Sequence, residues 1–138
     1  MKRSVKRIVI SLCILSLLCS SALAATEASS TINSFETNAY HSGGGTISIL
    51  VSVFAKDYME RLGASHVYVY EKVGSAWIIY DSFTQTDPGM TSTDSAMHHQ
   101  YVSCDAYTGG EFKVDVIIFA KSYSGESTSR SETHYVYT

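Results

Sequence analysis

The chain has 138 residues, with 10 Lys and Arg against 13 Asp and Glu and a formal net charge of −3 at pH 7. This acidic balance argues against a nucleic-acid binder, which needs clustered Lys and Arg along a groove. The length is sufficient for one domain with its own buried core, so a single folded domain is expected.

The first 24 residues have the three parts of a secretory signal peptide. Four basic residues precede an 11-residue apolar stretch at 8–18, and Ala22-Leu23-Ala24 supplies the small-x-small pattern that signal peptidase accepts. A membrane helix needs about 20 apolar residues, so this stretch is too short to be one. We predict a signal peptide at 1–24, no membrane span after its cleavage, and a protein that is secreted, extracellular or loosely associated with the cell envelope.

Cleavage after Ala24 would change both the charge and the cysteine count. Four of the ten basic residues lie in 1–24, which leaves six against thirteen acidic residues and a formal charge of −7. Two of the three cysteines lie there as well, so Cys104 would remain alone and no intramolecular disulfide could form. Cys104 alternates with Val102 and Ala106, which predicts a small buried hydrophobe rather than a nucleophile.

The first half of the remaining chain contains two strand patterns. Residues 25–34 are small and polar and are predicted to be flexible, ahead of a single domain at 35–138. A short edge strand is predicted at 35–41 and a half-buried strand at 46–55. Residues 56–63 have apolar side chains three apart and a terminal glycine, which predicts one helical turn. The inward face of the strand at 46–55 comprises Ile47, Ile49, Val51 and Val53.

Two strands at 65–73 and 76–83 are predicted to form a hairpin, because Gly74-Ser75 fits a two-residue type II′ turn. This turn places Tyr70 opposite Ile79 and Val69 opposite Tyr80. The predicted core face carries Val67, Val69, Val73, Ile78 and Tyr80. The predicted outer face carries His66, Tyr68, Tyr70, Trp77, Ile79 and Phe83.

The last part of the chain contains the strongest strand pattern. A loop is predicted at 84–96 around Asp87-Pro88-Gly89, and a strand at 98–107. The run at 111–123 alternates with a period of two, which predicts the strand around which the fold is organised, and an edge strand is predicted at 126–138. The buried face of the central strand comprises Phe112, Val114, Val116, Ile118 and Ala120.

About seven short strands without a long helical period predict an all-β fold, an antiparallel β-sandwich. Residues 101–138 resemble the end of a fibronectin type III or related immunoglobulin-like domain. The likeness lies in Phe112 after a glycine-containing corner, the alternation up to Ala120, and Tyr123-Ser124-Gly125. It implies an immunoglobulin/fibronectin III-like sandwich.

Two further segments, 59–64 and 67–77, are similar to a group of small secreted proteins of Gram-positive bacteria that has no assigned activity. The similarity lies in Met59-Glu60-Arg61-Leu62-Gly63-Ala64 and in Val67-Tyr68-Val69-Tyr70 with Gly74-Ser75-Ala76-Trp77. It implies export and a β-rich fold, and it transfers no functional residue.

The patterns of enzymes and metalloproteins are not found in the sequence. His98 and His99 are adjacent, so on a strand they would point to opposite faces, and no His-Glu-x-x-His or Gly-x-Ser-x-Gly occurs. We expect no catalytic residue, no metal site and no cofactor. The remaining enzymatic alternative is a small secreted hydrolase with paired carboxylates, whose spacing is set in three dimensions.

Aromatic residues point to surface recognition, since residues 25–138 contain 16 of them. Such side chains suit sugar rings and the hot spots of protein interfaces. We predict an exported, non-enzymatic domain that recognises a cell-surface protein or glycan. The alternatives are that the loop at 84–97 or a second copy of the chain covers the patch, or that the protein is a structural, self-associating envelope component. The candidate binding residues are Tyr68, Tyr70, Trp77, Ile79 and Phe119.

Overall fold

The apolar and polar alternation of the sequence produces an antiparallel sheet in the computed structural model, which describes residues 31–138. The all-β, antiparallel class is therefore confirmed. The predicted signal peptide at 1–24 lies outside the described residues. Between residues 31 and 138 no helix has the length and apolar character needed to cross a membrane. The six strands of this part of the chain are β1 (Ile32–Gly43), β2 (Thr46–Val73), β3 (Ala76–Thr84), β4 (Thr91–Asp105), β5 (Glu111–Lys121) and β6 (Ser127–Tyr137).

Strand β2 is the centre of the sheet, with 28 residues and partners on both edges. Its first half pairs with β1 and β4, and its second half pairs with β3 and β5. The helical turn predicted at 56–63 is wrong, because β2 runs through it with a register shift between Phe54 and Met59. The predicted strands at 46–55 and 65–73 are thus one strand, which gives six strands where about seven were expected.

The core lies between side chains from both halves of β2 and from β5. All five residues predicted on the inner face of β5 are fully buried, and so are the four predicted at 46–55. These residues belong to one hydrophobic cluster. Burying this apolar surface is the main favourable term that holds the strands together.

The sheet curls until its first and last strands meet. In the order β1-β2-β5-β6 the two outer strands share no backbone ladder, yet their side chains bond to each other. The Thr37 hydroxyl donates to Glu132 Oε2 at 2.5 Å and lies 2.7 Å from His134 Nε2. We call this contact the β1–β6 seam. A curled antiparallel sheet around one core is consistent with a β-sandwich.

Strand β1 includes three residues that the sequence predicted to be flexible. Strand β1 starts at Ile32, whereas residues up to 34 were expected to be flexible. Ile32 is buried in the core, and the Lys56 amide donates to the Thr31 carbonyl. One buried isoleucine and this pairing are enough to order the segment. The rest of the predicted flexible segment, 25–30, lies outside the described residues.

The β2–β3 hairpin has the predicted register only next to its turn. Tyr70 pairs with Ile79 as expected, but Val69 pairs with Asp81, because a bulge at Tyr80 shifts the register by one. The core assignment is wrong for Tyr80, which lies in the bulge and is 40% exposed. It is also wrong for Val73 and Ile78, which keep the predicted pairing near the turn but are 50% and 51% exposed. Phe83, predicted on the outer face, packs against the core.

The loop after β3 is shorter than predicted, because β4 begins at Thr91 rather than at 98. The chain turns at 85–90 and then crosses close to β2. The Ala64 amide donates to the Met90 carbonyl at 2.7 Å, and a Cβ on Gly63 would lie 2.2 Å from the Met90 oxygen. Gly63 therefore allows the close approach of the two segments.

Candidate functional site

The outer side of β3, the second half of β2, β5 and β6 carries a row of aromatic rings, which we call the aromatic face. Alternation places these residues outward while Val67, Val69 and the inner residues of β5 fill the core. Along β2, His66 stacks on Tyr68 with ring centroids 5.5 Å apart, and Tyr68 lies 6.4 Å from Tyr70. The aromatic face comprises His66, Tyr68, Tyr70, Trp77 and Tyr135, together with Lys72 and Lys113.

Two lysines connect the rings across the strands. The ammonium of Lys113 lies 4.3 Å from the centroid of Tyr70 and 5.8 Å from that of Trp77. The ammonium of Lys72, the cross-strand partner of Trp77, lies 5.7 Å from the centroid of the Trp77 ring. Trp77 also reaches Tyr135, with ring centroids 5.8 Å apart, although β3 and β6 flank the β2–β5 pair. The side chains therefore lean together into a continuous layer.

The charges of the aromatic face are balanced locally. Lys72 forms an ion pair with Glu111 at 2.9 Å, and Lys113 lies 3.8 Å from Asp115. The hydrogen bond to Glu111 raises the pKa of Lys72, so its cationic form is favoured. The face presents aromatic rings among paired charges, with no excess of either sign.

The structure brings together four of the five predicted binding residues. Tyr68, Tyr70 and Trp77 are each half-buried, with Tyr68 next to Tyr70 and Trp77 linked to Tyr70 through Lys113. Ile79 lies beside Tyr70 with 57% of its surface exposed. Phe119 points to the same side of the sheet but lies far along β5 and is only 8% exposed. It is therefore not part of the exposed patch that the sequence predicted.

Sequence reasoning missed Tyr135 and Lys113. Lys113 pairs with Tyr70 on one side and with Tyr135 on the other, so all three side chains share the outer face. The alternation of β5 already indicated an outward Lys113. Recognition of Tyr135 required knowing that β6 lies next to β5, which the local pattern does not contain.

Phe119 lies instead at a shallow cavity near the far end of the same face. The cavity has a volume of about 220 Å³. Gln85, from the turn after β3, contributes to its wall, whereas Met90 of the same turn is buried in the core. The lining residues are Glu60, Arg61, Gln85, Phe119 and Lys121.

The adjacent histidines point to opposite sides of β4, as predicted. His98 is buried and His99 is exposed. His98 Nε2 lies 3.0 Å from the Gly89 carbonyl, which can only accept, so Nε2 carries the proton and Nδ1 accepts from Ser92 Oγ at 2.9 Å. Burial lowers the pKa of His98 and keeps the ring neutral. Within residues 31–138 no group of three His, Cys, Asp or Glu side chains could hold a metal ion.

Cys104 is buried against the core, in agreement with its predicted role as a small hydrophobe. Burial, followed by the charge of Asp81, raises the pKa of its thiol to about 12. The thiolate, which is the reactive form, is therefore negligible at neutral pH.

Comparison of the chain with family models, with curated proteins and with solved structures gives no match. The function has to be argued from the geometry of the site.

Proposed function

We propose that the chain is an exported, non-enzymatic domain that recognises a protein or a glycan at the cell surface or outside the cell. The observation that carries the proposal is the continuous layer of Tyr68, Tyr70, Trp77 and Tyr135 on one outer face. Interface hot spots are enriched in Tyr and Trp, which bury a large area at a small cost in side-chain entropy.

The layer is organised before any partner arrives. Lys113 is held over Tyr70, and Trp77 is held between two lysines and Tyr135. Side chains that are already restrained lose less conformational entropy on binding, which favours affinity. Half-burial of these rings therefore supports a recognition role as well as a structural one.

Between the two partner classes, the position of Lys113 favours a protein. A sugar ring that stacks on tyrosine needs an open ring face, and the Lys113 ammonium lies 4.3 Å from the centre of the Tyr70 ring. A protein partner can use the exposed Tyr135 and Ile79 as apolar contacts and the paired charges around them as a polar rim.

The proposal includes the type of fold and the setting. A curled antiparallel sheet around one core supports an immunoglobulin/fibronectin III-like sandwich, and the pattern of residues 1–24 supports secretion. The similarity of 59–64 and 67–77 to small secreted proteins of Gram-positive bacteria supports a bacterial setting. Both are consistent with a small domain that acts at the cell envelope.

The test is a pull-down of cell-surface protein and glycan fractions with the purified protein and with a Tyr70→Ala/Trp77→Ala variant. Hot-spot residues of this kind contribute about 2 kcal/mol or more each, so we expect binding to fall by at least about tenfold. A Tyr58→Ala/Tyr101→Ala variant is the matched control, since it also loses two aromatic rings, both of them exposed and outside the aromatic face. Equal binding by both variants, or no bound partner at all, would contradict the proposal.

A self-associating envelope component is the second candidate, because β3 exposes Ile78 and Ile79 on a strand that pairs only with β2 within residues 31–138. An unpaired apolar edge can bind a second copy of the same strand. Sedimentation velocity over a range of concentrations separates the candidates: self-association predicts a dimer that Ile78→Lys abolishes, whereas recognition of another molecule predicts a monomer throughout.

A further inference from the structure

The shallow cavity beside Phe119 has a local excess of positive charge. Arg61 and Lys121 line its wall, and Glu60 is the acidic residue of the lining. The chain as a whole is acidic, with a net charge of −3, so this is a basic site on an acidic protein.

The two cations occupy directly opposed positions on neighbouring strands. Arg61 of β2 is the cross-strand partner of Lys121 of β5. Like charges at opposed positions repel each other and destabilise a sheet. Such an arrangement suits a site in which an anion supplies the missing negative charge.

Glu60 neutralises only one of these cations. Its carboxylate lies 2.9 Å from Lys121 Nζ. The guanidinium of Arg61 is half-buried and forms no hydrogen bond or ion pair with any residue of 31–138. Arg61 is therefore available for a bidentate contact with a carboxylate or a phosphate.

An aromatic ring lies next to the charged groups. Phe119 is 8% exposed and pairs with Gly63, so no side chain stands opposite its ring on β2. The Met90 carbonyl occupies the position of the missing Gly63 side chain, and Phe119 still contributes its apolar surface to the wall of the cavity.

From these observations we infer that the cavity binds a small organic anion, with its carboxylate or phosphate between Arg61 and Lys121 and its apolar part against Phe119. The site lies beyond the end of the aromatic face, because Phe119 is about 20 Å along β5 from Lys113. His66, the nearest residue of the aromatic face, pairs with Ile117 and does not line the cavity. The inference is independent of the proposed recognition function.

The test is a titration of the purified protein with four probes, followed by NMR chemical shifts or calorimetry. The probes are acetate, benzoate, inorganic phosphate and phenyl phosphate. We expect the affinity for benzoate to exceed that for acetate, or the affinity for phenyl phosphate to exceed that for inorganic phosphate, by about tenfold or more. The stronger of these two ligands identifies the preferred anionic group.

Arg61→Gln is expected to weaken binding by about tenfold or more, since it removes the charge-assisted contact. Lys56→Gln is the matched control, because it removes one exposed cation of the same strand that does not line the cavity, and it should bind as the original protein does. Without ligand, Arg61→Gln should be at least as stable as the original protein, since it relieves the repulsion with Lys121. If Arg61→Gln fails to fold, Lys121→Gln replaces it with the same expected loss.

Three results would overturn the inference. The first is that no probe binds up to about 10 mM, which corresponds to a binding free energy of less than about 3 kcal/mol. The second is equal binding by Arg61→Gln and the original protein. The third is that benzoate binds no more tightly than acetate and phenyl phosphate no more tightly than phosphate.

Discussion

The imidazole of His98 is enclosed by β4 and the turn at 85–90. Both ring nitrogens are used, because Nε2 donates to the Gly89 carbonyl and Nδ1 accepts from Ser92. A second proton on Nδ1 would reverse the bond with Ser92, so that Nδ1 donates, and would place a charge in a buried site. The folded protein therefore holds His98 neutral, with a pKa below its ordinary value of 6.5.

This burial predicts a loss of stability in mild acid. Below its ordinary pKa of 6.5 the unfolded chain takes up a proton on His98 that the folded protein does not. The free energy of unfolding should therefore decrease as pH falls from 7 towards 5, with a slope of at most about 1.4 kcal/mol per pH unit from this group. Urea denaturation at several pH values measures the slope.

His98→Gln should flatten this part of the pH dependence, because glutamine has no proton to take up. His99→Gln is the matched control, since its ring lies on the exposed side of β4, and it should retain the contribution of His98. An unchanged slope in His98→Gln would show that another group controls the acid response.

At the scale of the element, the pairing of β2 with both β4 and β5 depends on Gly63, which lies between the two strands. Gly63 has φ of +139°, a backbone conformation that side-chain-bearing residues rarely adopt, and the Met90 carbonyl occupies the space of its missing Cβ. Both the backbone angle and the contact therefore require glycine.

Gly63→Ala should lower the free energy of unfolding by about 2–3 kcal/mol, since it adds backbone strain and a contact with backbone atoms. Gly74→Ala is the matched control, because Gly74 also has a positive φ, of +62°, but has no atom within 4 Å of an added Cβ. Gly74→Ala should lower the free energy of unfolding by about 1 kcal/mol. Urea denaturation of the two variants tests the difference, and equal losses would show that the contact with Met90 costs nothing.

The sequence predicts the strand faces and registers that local patterns determine, and it fails where pairing between strands determines them. Alternation predicts the inner face of β5 and the first half of β2, since a period of two needs no knowledge of neighbours. The turn Gly74-Ser75 predicts the hairpin register up to Ile79. The bulge at Tyr80 is beyond local prediction, because an inserted residue reverses the alternation without a compositional mark.

The failure at 56–63 has a different cause. Met59 and Leu62 are three residues apart, which fits a helical turn, but pairing with β4 and β5 keeps this segment extended. Tertiary pairing therefore overrides the local pattern. The same limit applies to the candidate sites. Tyr68, Tyr70 and Trp77 follow from one hairpin, whereas Tyr135 and the cavity at Phe119 depend on which strands lie side by side.

For the whole molecule, the β1–β6 seam is the contact that joins the two ends of the strand order. The Thr37 hydroxyl is buried between Glu132 and His134, where it donates to the first and accepts from the second. No backbone ladder between β1 and β6 supports this contact. The side-chain bonds therefore contribute directly to keeping the sheet curled.

Thr37→Val should lower the free energy of unfolding by about 1–2 kcal/mol, because it keeps the side-chain shape and removes both bonds. It should also speed amide hydrogen exchange in β1 and β6 more than in β5. Thr133→Val is the matched control, since the bond from Thr133 to Asp115 is exposed. Equal exchange rates in the two variants would show that the seam has no special role.

Because β2 has partners on both edges, the order in which the chain is synthesised limits when it can fold. Strand β1 is the partner that precedes β2, whereas β4 ends at Asp105 and β5 at Lys121. A growing chain therefore carries β2 with one edge unpaired and its apolar residues uncovered until β4 and β5 have been made. Such an intermediate is prone to aggregation, so we expect chaperones to hold the nascent chain until β5 has emerged.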